Sequence, residues 1–420
     1  MFAKKDIKSI LGSGSILFVA TLLVNVVNYG LNLFLSRWLG PELYAEANII
    51  ATLVMALSFM AMGFQLSVAK IVAEGKQKFL AQFAKKVRTT SLFVLVISCL
   101  LIPLLSSFLQ FERWYPLLIL AVGIPSYLLM SLYRGSYQGA ENFRKLSMTY
   151  IVEVFVRLVV TLGLLFLLKD IPYKTEVVSL GFLASFLVTH LYSLRPLKAE
   201  GTKSDSDSEQ LQSVFYFLVA ISFYELSQIL INNSDVILVK HYFVAHEAGL
   251  YSALALLGRG VFFATWSIVM VLFPKVISKE KRGEPHIKLF WTALTIVGII
   301  GLLFVLATKF FGEEIILLAF GSQYVEVSEY LWIYCSLTTL FACANVFVYY
   351  NLSLKRYIPV LISILFGVLQ IFIICFYHES LMQVLLVQLG LMLCLFVSMI
   401  GYQLSTGVSQ LKMTHSQNLS

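Results

Sequence analysis

The chain has 420 residues, 59% of them hydrophobic and only 13% charged. Soluble domains run near half apolar and a quarter charged, so this composition excludes a soluble globule. Its five cysteines (Cys99, Cys335, Cys343, Cys375, Cys394) all lie in apolar runs, which excludes a disulfide scaffold, and the net charge of +8 raises nucleic-acid binding as a reading to be judged by where the charges fall.

A helix needs roughly 20 mostly apolar residues to cross about 30 Å of hydrocarbon. That window predicts twelve spans: 10–36, 43–69, 89–110, 115–138, 147–168, 176–194, 213–239, 250–273, 289–308, 330–353, 358–377 and 381–404. Lysines precede the first run as in a signal peptide, but no small-residue cleavage site follows a short apolar core, so it is read as a retained span. The connections are short, among them Gly40-Pro41-Glu42, Glu112-Arg113-Trp114 and His378-Glu379-Ser380. Sheet edges cannot face lipid, so the expected fold is an all-α polytopic bundle of 12 transmembrane helices.

The first span carries Asn25, Asn28 and Asn32 at i, i+3 and i+7, a spacing that places them on one helix face. The fifth carries Glu153 and Arg157 at i,i+4, with the glutamate first. That order suits an intrahelical ion pair as well as it suits a substrate path. A polar Ser/Asp stretch at 198–212 reads as a linker between lobes at 1–197 and 213–420. The seventh span repeats the polar stripe in Glu225, Gln228 and Asn232, followed by Asp235 nearer the outer surface, and the eighth holds Arg259. At about 1.5 Å per residue, Arg157, Glu225 and Arg259 lie roughly 14–18 Å deep. Charges at such depth face a cavity or each other. Asn and Gln stripes also serve as interhelical glue; their recurrence in both halves favours a shared cavity.

The recurrence extends further. Glu42-Leu-Tyr44 and Lys70 in the first half answer Glu247, Tyr251 and Lys275 in the second, at offsets near half the chain. The expectation is two six-helix lobes related by a pseudo-two-fold axis along the membrane normal, a plan used by transporters that work by alternating access. With both termini cytoplasmic, twenty-three Lys and Arg fall in inner segments and six in outer ones, Arg134 being counted as inner. The net charge therefore records topology and attraction to anionic membrane lipids, with no nucleic acid as partner. The six histidines show no ligand spacing, Gly12-Ser-Gly14 lacks the lysine of a phosphate loop, and neither a metal nor a cofactor is expected.

Several segments resemble the polysaccharide transporter (Wzx-type O-antigen flippase) branch of the multidrug/oligosaccharidyl-lipid/polysaccharide exporter superfamily. They are Leu35-Ser-Arg37-Trp-Leu-Gly40-Pro41-Glu-Leu-Tyr44, Tyr133-Arg134-Gly135 through Phe143, Glu153-Val-Phe-Val-Arg157, Ala248-Gly249-Leu-Tyr251-Ser252, Leu272-Phe-Pro274-Lys275 and Leu318-Ala-Phe-Gly321. The resemblance implies a multi-pass inner-membrane flippase, not an enzyme. It would move polyprenyl-diphosphate-linked oligosaccharide units across the cytoplasmic membrane for surface polysaccharide, driven by Na+ or H+, and act as a monomer. Arg157, Arg259, Asn25, Asn28, Asn32, Gln228 and Asn232 are then the candidate substrate contacts, and Glu225, Asp235 and Glu153 the candidate coupling-ion sites. Two alternatives stand beside it. One is a drug/cation antiporter of the same fold. The other is a membrane glycan polymerase or glycosyltransferase, which the short outer connections and the lack of a clustered acid/base pair disfavour.

Overall fold

The computed structural model describes residues 2–73, 75, 77–168, 172–194 and 208–417. The linker expected at 198–212 falls for the most part outside the described residues. The helices are α1 (Phe2–Ala73), α2 (Gln77–Phe108), α3 (Tyr115–Gly139), α4 (Phe143–Leu167), α5 (Lys174–Ser193), α6 (Ser208–Tyr242), α7 (Ala245–Lys281), α8 (Ile287–Phe310), a short α9 (Gly312–Ala319), a 3₁₀ helix (Ser322–Tyr330), α10 (Leu331–Ser353), α11 (Ile358–Phe376) and α12 (Leu381–Gln417).

Nine helices among the described residues are long and apolar enough to cross a membrane. The first, Val19–Ala73, is 55 residues long. At 1.5 Å per residue that is about 80 Å, more than two membrane thicknesses. It is broken at Gly40, whose φ of 74° and ψ of 172° interrupt the helix. A positive φ suits glycine, and Pro41 then restarts the helix where its missing N–H costs nothing. The loop expected at Gly40-Pro41-Glu42 is thus a one-residue break between two arms. With the arms counted separately the nine become ten, and the long helices α6 and α7, which are not among the nine, bring the long helices to the twelve expected.

Two other connections differ from expectation. Only Phe243 and Val244 separate α6 from α7, because both helices run on beyond the apolar windows. The stretch from Phe311 to Glu329, between the expected spans 289–308 and 330–353, folds as α9 and the 3₁₀ helix, with Ile316, Tyr324 and Val327 buried.

The chain divides into two compact units, Met1–Val219 and Ala220–Ser420. In the first, α3 packs on α1, α2 and α5, and α4 packs on α5 and α1. In the second, α10 packs on α7, α8 and α12, and α11 packs on α12. Both enclosed helices are the fourth long helix of their lobe, so one packing plan is used twice. Small residues permit the close approaches: an added Cβ on Gly135 would collide with the Gln65 carbonyl and Val68 of α1, and one on Gly258 of α7 would enter the Tyr334 ring of α10. The third long helix of each lobe, in contrast, turns an apolar face outward, with Leu92, Phe93, Val96, Leu100 and Leu104 on α2 and Ile299, Leu302, Leu303, Leu306 and Phe310 on α8. Stripes of that size at helical spacing are untenable in water and natural in lipid. The protein is a multi-pass membrane protein.

Candidate functional site

In the first lobe, helix spacing makes the initial pair. Glu153 and Arg157 are one turn apart on α4, and their side chains meet, Arg157 Nη2 lying 2.5 Å from Glu153 Oε1. The core helix adds a second cation: Arg134 Nη2 of α3 lies 2.7 Å from Glu153 Oε2. Arg134 also donates to Thr149 through Nε to Oγ1 (3.0 Å) and through Nη2 to the carbonyl (3.1 Å). Its guanidinium lies over the Tyr150 ring at 4.1 Å. Arg157 donates from Nη1 to Asn28 Oδ1 on α1 at 3.0 Å and lies over the Phe182 ring of α5 at 4.2 Å. One carboxylate therefore serves two guanidiniums, leaving one excess positive charge in this triad. The Nε of Arg157 is buried and has no acceptor. A neighbouring amide knot, Gln65 Nε2 to Gln138 Oε1 at 2.8 Å and to the Tyr150 hydroxyl at 3.1 Å, fixes the ring under Arg134.

The second lobe buries its charge differently. Asp235 of α6 is 0% exposed. Its Oδ2 accepts from the hydroxyls of Tyr251 on α7 (3.0 Å) and Tyr334 on α10 (2.8 Å). Gln388 of α12 donates to the Tyr251 hydroxyl, so four helices converge on one carboxylate. Its other oxygen, Oδ1, faces Arg259 Nη2 at 3.6 Å and accepts no hydrogen bond. Arg259 in turn donates one long hydrogen bond, Nη1 to Asn233 Oδ1 at 3.5 Å, and lies against the Tyr334 hydroxyl, while its Nε and Nη2 are buried without a well-placed acceptor. A guanidinium carries five N–H donors, so this one is largely unmet.

The other expected residues are spread out. Asn32 Nδ2 and Asn232 Nδ2 each donate to the backbone carbonyl one turn earlier, of Asn28 and Gln228 respectively, at 2.9 Å. Asn25 is exposed. Gln228 and Asn345 of α10 join by reciprocal amide bonds of 2.8 and 3.3 Å. That is the geometry of interhelical glue. Glu225 is half-buried, with no hydrogen bond or ion pair among the described residues. Arg134, counted as an inner loop charge, sits inside α3 and is 5% exposed. The span window 115–138 already contained it; its place near the window's end hid its burial. Tyr334, Asn233, Gln388 and Gln65 carry no signal of their own, because each becomes polar machinery only through a partner on another helix; Tyr251 stood out as part of the repeat, not as a partner of Asp235.

Two similar helical lobes, each with an arginine and a carboxylate paired in long helices, make a polytopic helical bundle. The chain belongs to the family described as polysaccharide biosynthesis protein, whose model matches residues 10–279. Stage V sporulation protein B of Bacillus subtilis is 27% identical over 194 residues, or 43% of this chain and 36% of that relative, so the match spans about a third of its length. The fold resembles an inward-facing multidrug resistance MATE family transporter of the MOP superfamily, with TM-score 0.76, 12% identity and coverage of 93% of this chain and 96% of that one. It also resembles the lipid II flippase MurJ in an inward closed conformation, with TM-score 0.72, 14% identity and coverage of 92% and 87%.

Proposed function

We propose that this chain is a flippase carrying polyprenyl-diphosphate-linked oligosaccharide units from the cytoplasmic to the outer leaflet of the cytoplasmic membrane for surface polysaccharide synthesis. It works by ion-coupled alternating access, with both termini cytoplasmic. The family match supports the biosynthetic setting. The observation that carries the substrate class is guanidinium donors buried in long helices of a membrane protein without acceptors: Nε of Arg157, and Nε and Nη2 of Arg259. Diphosphate oxygens are the complement of such donors, and forked N–H pairs bind them best. Crossing hydrocarbon is costly for a diphosphate and a hydroxylated glycan, while the polyprenyl tail can stay in lipid.

In this reading Arg157 and Arg259 are the anion contacts. The stripe Asn25, Asn28, Asn32 offers amides to glycan hydroxyls, while Gln228 and Asn232 are spent within the lobe; Asp235 and Glu225 serve the coupling ion, Na+ or H+, and Glu153 stays bound to its two arginines. A drug/cation antiporter of the same fold is the competing reading, and the excess arginine of the first lobe opposes it, since a hydrophobic cation would be repelled there. The test is surface polysaccharide in cells whose own flippase has been deleted. Arg259→Ala and Glu225→Gln should each lower it by about tenfold or more, the scale of losing one charge-assisted bond. Full activity in both would remove the site assignment. Reconstitution with a labelled lipid-linked glycan then decides between transport of that lipid and export of hydrophobic cations.

A further inference from the structure

We infer that Arg259 is a built-in counter-cation for Asp235, standing in the place that the coupling cation takes when the arginine leaves. The inference rests on the proposed transport function for its meaning, but its central test does not depend on a substrate.

A carboxylate that is 0% exposed inside a membrane lobe needs a positive partner. Arg259 is the cation paired with Asp235 among the described residues, and the fit is poor on both sides. Two tyrosine hydroxyls saturate Oδ2, while Oδ1 has only the guanidinium at 3.6 Å, beyond hydrogen-bond reach. The guanidinium is held by Asn233 Oδ1 at 3.5 Å and lies beside the Tyr334 hydroxyl, and two further nitrogens have no well-placed acceptor. It therefore lies between two oxygens of α6, at 233 and 235, and satisfies neither well. A carboxylate and an amide oxygen are the ligand types that hard cations prefer. The two tyrosines, with Gln388 behind Tyr251, hold the carboxylate on its other side, so it need not move when its partner changes. The first lobe is the internal contrast: there both guanidiniums bond Glu153 at 2.5 and 2.7 Å, and the carboxylate has no oxygen left free to exchange.

The consequence is a coupling rule. An anionic ligand that bonds the idle Nε of Arg259 and competes for Nη2 draws the guanidinium away from Asp235 and leaves a carboxylate that binds sodium. Anion and cation then load together, and each must raise the affinity for the other by the same factor.

The experiment measures sodium affinity of the full-length protein in detergent, as the thermal-stability shift in sodium chloride over choline chloride. Wild type should respond weakly. Arg259→Gln should bind sodium at least tenfold more tightly, and Asp235→Asn should abolish the response. If Arg259→Gln does not fold, Arg259→Lys, which keeps the charge but loses the fork, should show an intermediate gain. Sodium affinity unchanged by either Arg259 substitution overturns the proposal. Farnesyl diphosphate, a soluble polyprenyl diphosphate, is then added to wild type, where it should raise sodium affinity at least fivefold; in Arg259→Gln it should have no effect. A sodium gain in Arg259→Gln with wild type blind to farnesyl diphosphate upholds the counter-cation and removes Arg259 from substrate binding.

Discussion

The two lobes repeat one packing plan but hold their charge in opposite ways. In the first, the enclosed helix α3 contributes Arg134, and every charged group of the triad is tied at short range to a neighbour, with aromatic rings under both guanidiniums. In the second, the enclosed helix α10 contributes the neutral Tyr334, and the carboxylate is held by hydroxyls while its cation stands off at 3.6 Å. A buried polar network that is fully satisfied rigidifies, and one that is partly satisfied is where a ligand or a second state finds unmet bonds. The first lobe, where only Nε of Arg157 is unmet, therefore reads as a strut, and the second, with both partners loosely met, as a seat for exchange.

The largest expected effect tests the strut. Glu153→Gln leaves Arg134 and Arg157 facing each other without their carboxylate, and breaking a buried ionic group in this way costs about 3–5 kcal/mol. Thermal unfolding in detergent should show it as a large fall in Tm. Replacing all three residues with apolar ones of similar volume should recover most of that loss. If the triple variant also transports normally, Arg157 is structural and the anion role falls to Arg259 alone.

Asp235→Asn should invert the balance between stability and function. The carbonyl oxygen of the new amide still accepts from the two tyrosine hydroxyls, and Arg259 loses a counter-charge that stood off at 3.6 Å, so the stability cost should stay below that of Glu153→Gln, which strands two closely held arginines. Transport should nevertheless be lost. A stability cost equal to that of Glu153→Gln would show that the second lobe is as tightly knit as the first, and the contrast would fail.

Gly258→Ala comes next. Its Cβ would push into the Tyr334 ring, an overpacking worth about 1–3 kcal/mol, and would shift the hydroxyl that holds Asp235. Gly30→Ala on α1 is the control, because nothing lies within 4 Å of the added carbon. A loss of transport in the first variant with none in the second ties function to the Tyr334–Asp235 bond.

How much of this was legible in the sequence depended on range. Apolar windows are local, so the number of long helices and the doubled architecture followed from them, and the i,i+4 spacing of Glu153 and Arg157 foretold their contact. The partners of these residues were not legible, because the rotation of one helix against another is absent from a window. Arg134 meets Glu153 across 19 positions, Tyr334 meets Asp235 across 99, and Gln388 meets Tyr251 across 137. The break at Gly40 was visible as a Gly-Pro pair, but its compactness depends on a backbone conformation that composition does not report.

The smallest effect bears on the polar stripes. If Gln228 lines a substrate path, Gln228→Leu should cut transport whatever Asn345 does. If it is glue, the loss should be in stability and should depend on its partner. The reciprocal amide bonds of 2.8 and 3.3 Å favour glue. A double-mutant cycle with Asn345→Leu should give a coupling of about 0.6 kcal/mol and not much above about 1.7, the range for hydrogen bonds between membrane helices. Transport per folded molecule should hold in Gln228→Leu, in contrast to Arg259→Ala. Because Gln228 and Arg259 share a lobe, that difference would assign function to the loosely held charge and architecture to the satisfied amides.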